Sequence, residues 1–390
     1  MVTTEVTSQS WFGRIGESIK SFLFGLALFV AAFPVLFMNE GRAVKTEKSL
    51  KEGAGAVISV DSGRVDAAND QKLVHMSGRA KTDETLADSD FQISANAIKL
   101  RRRVDMYQWE EKKESKTQKK IGGGSETVTT YSYNKSWSDR LVDSSSFKEQ
   151  GHTNPTEMPY QSRDQEAQKV TLGAFALTSS LVGKMNDYQA LSLTDQDRQK
   201  LPSELRSKLK VNNGAFYQGA DPANAQVGDV RISFSVVQPA DVSVISKQTG
   251  NSFEPYRASA GMDIEMLKSG IQGAQAMFQQ ALQENTIFTW ILRAVGFVMM
   301  FLGLVLFFRP ISVLGDILPV FGSLLAFGTG LFAFVISAVL SIGTIAVAWI
   351  VYRPVLGIAL LAVAIAMLVG LAMRGRKKVA AGAVARPATT

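Results

Sequence analysis

The sequence predicts an α+β membrane protein in which four transmembrane helices, one N-terminal and three C-terminal, hold a large β-rich domain with helical inserts. Three observations predict it. The run from Ile287 to Met373 is almost wholly apolar and carries four charges, Arg293, Arg309, Asp316 and Arg353. A hydrocarbon layer about 30 Å thick takes roughly 20 apolar residues per helical pass, so this run holds several passes. A second apolar run, Phe22 to Met38, lies near the other end, and the polar chain between the two shows short apolar–polar alternation.

In chain order, residues 1–21 read as a polar terminus containing Trp11, Arg14 and Lys20. Residues 22–39 follow as the first helix. No small-residue cleavage pattern follows Phe33, Pro34, Leu36 and Phe37, which predicts an uncleaved helix instead of a signal peptide. The β-rich domain is expected over 40–262. Its strands are expected at Val57 to Val60, Lys72 to Ser77, Val104 to Glu110, Thr127 to Trp137, Val170 to Leu177 and Val230 to Val237. The third and fourth of these, Val104 to Glu110 and Thr127 to Trp137, are read as a long hairpin. Its tip, from Lys112 through Gly122-Gly123-Gly124, reads as mobile. The aromatics Tyr107, Trp109, Tyr131, Tyr133 and Trp137 are expected to pack together across it, and a buried Trp109 would cost about 3 kcal/mol on truncation to alanine.

Two helical inserts follow, one capped by Thr194 and one opened by Pro202. Leu267, Ile271, Ala274, Phe278 and Ala281 recur at spacings of four and three, predicting an amphipathic helix over 263–286 that runs straight into the second pass. Within 287–373, Ile287 to Phe308 is one pass. Between Asp316 and Arg353 one long or tilted helix is expected, preceded by an interfacial segment around Ile311 to Leu318, and Val355 to Met373 is the last pass. The basic tail 374–390 flanks it.

The same residues exclude much chemistry. The chain of 390 residues has no cysteine, which rules out disulfides, thiol nucleophiles and Cys-ligated metals. Its two histidines, His75 and His152, lack metal-ligand spacing, and no G-x-S-x-G, P-loop or dinucleotide fingerprint is present. No cofactor, metal or catalytic residue is expected, and the chain is read as non-enzymatic. The run Lys99, Arg101, Arg102, Arg103 lies on a strand where Arg101 and Arg103 share a face with Asp105, so an ion-paired face is expected and no nucleic-acid site. Arg293 is an ionisable group six residues inside a pass, where snorkelling to the headgroups accounts for it.

A series of sequence blocks carries a family resemblance. They are Asn39-Glu-Gly-Arg-Ala43, Ile98 to Glu111 (IKLRRRVDMYQWEE), Tyr131 to Trp137 (YSYNKSW), Gly151 to Met158 (GHTNPTEM), Val227 to Ser235 (VGDVRISFS), Thr289 to Leu304 and Tyr352 to Leu360 (YRPVLGIAL). In this order the chain resembles the LUMA family, also called the transmembrane protein 43 family. Charge alone is nearly balanced across the first helix. The resemblance implies that the large domain is extracytoplasmic: lumenal in eukaryotic relatives of the endoplasmic reticulum and inner nuclear membrane, periplasmic at the inner membrane of a bacterium. It also implies a multipass scaffold, because family members are linked to organising complexes with emerin and lamins. In a bacterium those partners are missing, and self-association into a homo-oligomer, with membrane lipids and other membrane proteins as neighbours, is what carries over. The alternative is a lipid-handling or channel-like protein. Glu40 and Arg42 are expected to fix the junction between first helix and domain, with Arg293 and Arg353 as further interaction candidates.

Overall fold

Apolar sequence becomes long helix. The computed structural model describes residues 2–317, 319–359 and 362, and four helices carry its hydrophobic stretches: α1 Trp11–Ala56, α2 Ala274–Phe307, the short α3 Arg309–Gly315, and α4 Pro319–Tyr352. Three helical stretches are long and apolar enough to cross a membrane, Trp11–Ala56, Ala274–Gly315 and Phe327–Tyr352. The short α3 stands where the interfacial segment was expected. Of the fourth pass, residues 354–359 are helical, while most of Val355 to Met373 and the basic tail lie outside the described residues.

The chain divides into two compact units, one of Met1–Ser8, Ser49–Gln118 and Ser125–Ala281, the other of Gln9–Lys48, Lys119–Gly124 and Leu282–Thr390. In the helix unit, α1 and α2 meet through glycine. A Cβ on Gly303 would lie 2.7 Å from the Phe29 backbone nitrogen, and one on Gly25 would lie 2.7 Å from the Gly303 carbonyl oxygen. Seven residues earlier on α2, Gly296 receives the side chain of Leu36, which is fully buried with Ala32 and Met300. Where no hydrophobic force separates protein from lipid, such close backbone approach supplies the packing.

The β unit is built from two main sheets. The larger has the order β1-β4-β3-β7-β6-β5, with β1 Val2–Gln9, β3 Lys99–Lys119, β4 Ser125–Ser138, β5 Leu209–Asn212, β6 Ala215–Gln218 and β7 Val230–Val237. The smaller centres on β2 Leu73–Lys81 paired antiparallel with β8 Ala240–Thr249, Val244 opposite Met76. One apolar cluster draws on both sheets: Val74 and Met76 of β2, Val104 and Met106 of β3, Ile232 and Phe234 of β7, and Val242 and Val244 of β8. Alternation explains it, since β7 buries Val230, Ile232, Phe234 and Val236 and leaves the residues between them half-exposed.

Several expectations are corrected. The helix after the first pass extends to Ala56, so the β-rich region begins after it and not at residue 40. Residues 40–56 carry three each of Ala, Glu and Lys, good helix formers, beside three glycines. Residues 2–9, expected only as part of a polar terminus, form β1 at the edge of the larger sheet. The amphipathic helix does not begin at 263: Asp263–Ile264 and Met266–Ser269 are strands, the latter (β9) pairing with β8, and α2 starts at Ala274. Gly270, at φ +80, breaks the chain between them, and Ile271 is 73% exposed instead of lying on a buried face. The spacing of four and three also fits a strand followed by a helix, and a free ladder edge on β8 decided in favour of the strand. Thr194 does cap its helix, in a reciprocal box with Asp197, and the insert Ser203–Lys208 follows Pro202.

The glycine crossing makes a paired prediction. Gly303→Leu should drive α1 and α2 apart and lower the thermal midpoint of the detergent-purified protein by several degrees. Gly343→Leu, at a position with nothing within 4 Å, should leave that midpoint unchanged. Equal midpoints for the two variants would sink the packing assignment.

Candidate functional site

Within the helix unit, Arg293, Asp316 and Arg353 of the apolar run take part in two polar clusters, while Arg309 donates to Ser21 Oγ at 2.7 Å. The first is centred on Glu40, 1% exposed on α1. Its carboxylate accepts two hydrogen bonds from Arg293 of α2, Nε to Oε1 at 2.7 Å and Nη2 to Oε2 at 2.9 Å, and a third from Trp349 Nε1 of α4 at 2.7 Å. The guanidinium lies over the Trp290 ring at 4.6 Å and near Trp349 at 5.6 Å. One acid thus ties three helices. The expected snorkelling of Arg293 is replaced by a bidentate pair, because a buried carboxylate on the neighbouring helix offers a better partner than a distant headgroup.

Asn39 and Arg42 extend this cluster. Asn39 Nδ2 donates to the Thr289 carbonyl at 3.1 Å, and Arg42 donates to Asn285 Oδ1 and Thr289 Oγ1, both at 2.9 Å, while its guanidinium covers the Phe288 ring at 4.7 Å. Asn285 in turn donates to the Ala43 carbonyl. Arg353, just beyond α4, pairs with Glu47 of α1, and Tyr352 packs on Gly41, where a Cβ would lie 2.6 Å from its ring. Leu36, Asn39, Glu40, Ala43 and Glu47 recur at the spacing of one helix face. Glu40 and Arg42 therefore join α1 to α2 and α4, in place of the junction between first helix and domain expected of them.

The second cluster surrounds Asp316, also 1% exposed, between α3 and α4. Arg14 of α1 and Lys119 at the end of β3 both pair with it, Lys119 at 2.7 Å. Trp11 Nε1 donates to the Val313 carbonyl at 3.0 Å, Arg14 donates to the Gly123 carbonyl, and the Gly122 amide donates to the Ile317 carbonyl. Gly123 has φ +80, and the Trp11 ring lies where a Cβ would stand. The hairpin tip read as mobile is thus shortened to residues 120–124 and held in place. Sequence reasoning missed Arg14, Lys119, Gly123 and Trp11. The available signal was Asp316 itself, a lone acid in an apolar run, which requires cationic company. Arg14 and Glu40 are 26 positions apart on α1, roughly 39 Å of helix, close to the thickness of a bilayer with its headgroups.

In the β unit, the five aromatics do not form one cluster. Tyr107 contacts Trp137 at 5.2 Å, and Trp137 meets Tyr217 at 6.1 Å. Trp109 and Tyr133 are bridged by His152, which stacks on Tyr133 at 4.0 Å and takes Trp109 edge to face at 4.5 Å. Tyr131 donates to Glu5 of β1 at 2.9 Å. Trp109 is half-buried, so its truncation should fall below the 3 kcal/mol expected of a buried ring. Residues 107 and 109 share one face of β3 while 131, 133 and 137 share one of β4, but the intervening loop residue His152 parts them. His75 is also fully used, its Nε2 2.8 Å from the Gln272 carbonyl and its Nδ1 3.2 Å from Ser59 Oγ. The basic run of β3 is ion-paired: Arg101 with Asp164, buried Arg102 with Asp88 and Asp90, Arg103 with Asp105. Arg101 holds the Asp164 carboxyl below its ordinary range.

Three long apolar helices and a two-sheet β unit, with charges locked in inter-helix pairs, define an α+β integral membrane protein. A family model described as Transmembrane protein 43 matches residues 106–354. The human Transmembrane protein 43 is 36% identical over 366 residues, 90% of each chain, and the mouse protein is 36% identical over 365 residues, again 90% of each. The Drosophila melanogaster homolog is 34% identical over 366 residues, 89% of this chain and 94% of its own. No solved structure matches the chain. The chain belongs to the Transmembrane protein 43 family.

Two outcomes check the clusters. Glu40→Ala leaves Arg293 desolvated beside no counter-charge and should cost about 3–5 kcal/mol, whereas Glu40→Leu with Arg293→Met should recover much of that loss. Unfolding in mild detergent reads both, and an E40A protein that melts with the wild type contradicts the pairing. Gly123→Val, by obstructing Trp11 and straining a left-handed backbone, should open the tip to proteolysis between Lys119 and Ser125. Resistance equal to wild type would show that the tip is not held there.

Proposed function

We propose that the protein is a non-enzymatic membrane scaffold, in which the helices anchor and orient a β unit that presents surfaces for assembly with other membrane proteins or with copies of itself. The observation that carries this reading is the Glu40–Arg293–Trp349 knot. Its charges are committed to one another across three helices, an arrangement suited to holding a fixed geometry and not to relaying protons or substrate. The relatives' printed name, a transmembrane protein, agrees with the anchor.

The same reading places the β-rich region that follows α1 on the non-cytoplasmic side. The cysteine-free chain makes the test direct. A Ser259→Cys protein in intact cells is treated with a membrane-impermeant maleimide, and it should react. No reaction at position 259 places this region in the cytoplasm and overturns the orientation. For the scaffold itself, mass measurement after gentle detergent extraction should return a complex larger than one chain, and a lipid-loaded monomer would favour the lipid-handling reading instead.

A further inference from the structure

Where α4 ends, the helix unit encloses a cavity of about 620 Å³, lined by residues 352–356, Ala359 and Lys48 of α1. That volume lies in the range of small-molecule sites, roughly 300–1,000 Å³. Apart from Lys48, Arg353 and the Tyr352 hydroxyl, its lining side chains are apolar. Two of them, Val355 and Leu356, are 85% and 45% exposed. The chain is polar at Arg353 and apolar from Val355 onward, and Trp349 and Tyr352 occupy the last turn of α4. Aromatic rings and long cations gather where hydrocarbon gives way to headgroups, which sets the level of the cavity at that boundary.

The charges beside it are unequal after all internal pairs are counted. Glu40 is engaged by Arg293 and Glu47 by Arg353. Lys45 and Lys48 are both exposed, and neither forms an ion pair among the described residues. Three positions apart on α1, they are neighbours on the helix surface, so their positive charge is not cancelled by the chain. Arg353 gives Nη2 to Glu47, while its Nε has no hydrogen-bond partner among the described residues. The cavity thus joins an apolar lining to an unpaired ammonium.

We propose that this cavity is a binding site for one anionic phospholipid, with the headgroup phosphate against Lys48 and an acyl chain along Val355, Leu356 and Ala359. A free phosphate would meet the ammonium and leave the apolar lining wet. A zwitterionic lipid would cover the lining, but its own cation would offset the attraction to Lys48. An anionic lipid satisfies both parts, since a basic side chain at the membrane surface attracts anionic headgroups. The lipid is held at the helix ends and is not carried across the membrane. This site goes beyond the scaffold reading and holds for a monomer or an assembly alike.

The test is native mass spectrometry of the full-length protein in mild detergent, titrated with phosphatidylglycerol and with phosphatidylcholine of the same acyl chains. The unaltered protein should hold phosphatidylglycerol several-fold more tightly. Lys48→Gln should weaken phosphatidylglycerol binding about five-fold and leave phosphatidylcholine unchanged, and Lys48→Arg should restore the preference. Leu356→Trp, which fills the cavity, should weaken both lipids. Lys20→Gln, at an exposed position near the other end of α1, should change neither. Thermal midpoints measured without added lipid check that each variant is folded. Equal binding of the two lipids by the unaltered protein, or a preference that survives both Lys48→Gln and Leu356→Trp, overturns the site. Displacement of phosphatidylglycerol by millimolar inorganic phosphate also overturns it, because the ligand would then be a soluble anion. The same spectra report the mass of the assembly: a monomer that keeps the preference sinks the scaffold reading and leaves the lipid site standing.

Discussion

The helix unit depends on one constraint: a carboxylate and a guanidinium withdrawn from water must find each other. Glu40 is nearly inaccessible and is met by both arms of Arg293 and by the indole N–H of Trp349. The two partners come from different helices, so satisfying the acid fixes α1, α2 and α4 together in rotation and in height. Apolar packing alone would not do this, since lipid competes on equal terms with any aliphatic surface. The glycines at 25, 296 and 303 add closeness, and the buried pair adds register.

A similar logic operates at Asp316, with different parts. Two cations, Arg14 and Lys119, reach it from separate segments, and the absent side chain of Gly123 lets the Trp11 ring settle on the tip. Polar atoms here are few and matched, which is what a low-dielectric setting requires. The ribbon that ends in this tip is cross-linked by its own hydroxyls, Ser115 with Thr129 and Thr117 with Thr127, and β1 is fastened to it through Glu5. Lys148, then Tyr131, hold the Glu5 carboxyl below its ordinary range.

The amphipathic-helix reading of 263–286 and the loop reading of 112–120 failed for related reasons. Leu267 and Phe278 are both buried, but one faces the core from a strand and the other from a helix; spacing records the burial and not the element. Lys112 to Lys119 looks like a charged loop because strands with one solvated side can carry charge at most positions, and only pairing with β4 shows that the hairpin continues. The five aromatics of the hairpin were correctly placed on facing strands. Their separation by His152 was illegible, because His152 arrives from a loop that local pattern does not position. Likewise Arg293 was noticed as a charge in an apolar run while its partner, 253 positions earlier, was noticed for another reason.

By itself the sequence determined that this is a membrane protein with long apolar helices and a separate β-rich part, that Val230 to Val237 is a core strand, and that cysteine chemistry is excluded. These follow from composition and period, which depend only on near neighbours in the chain. Tertiary structure alone decided that Glu40 belongs to Arg293, that Asp316 gathers Arg14 and Lys119, and that residues 2–9 join the sheet as an edge strand. Each of those is a pairing of polar groups across a long sequence separation, and the energy of such a pair resides in the shared exclusion of water, which no single segment of the chain contains.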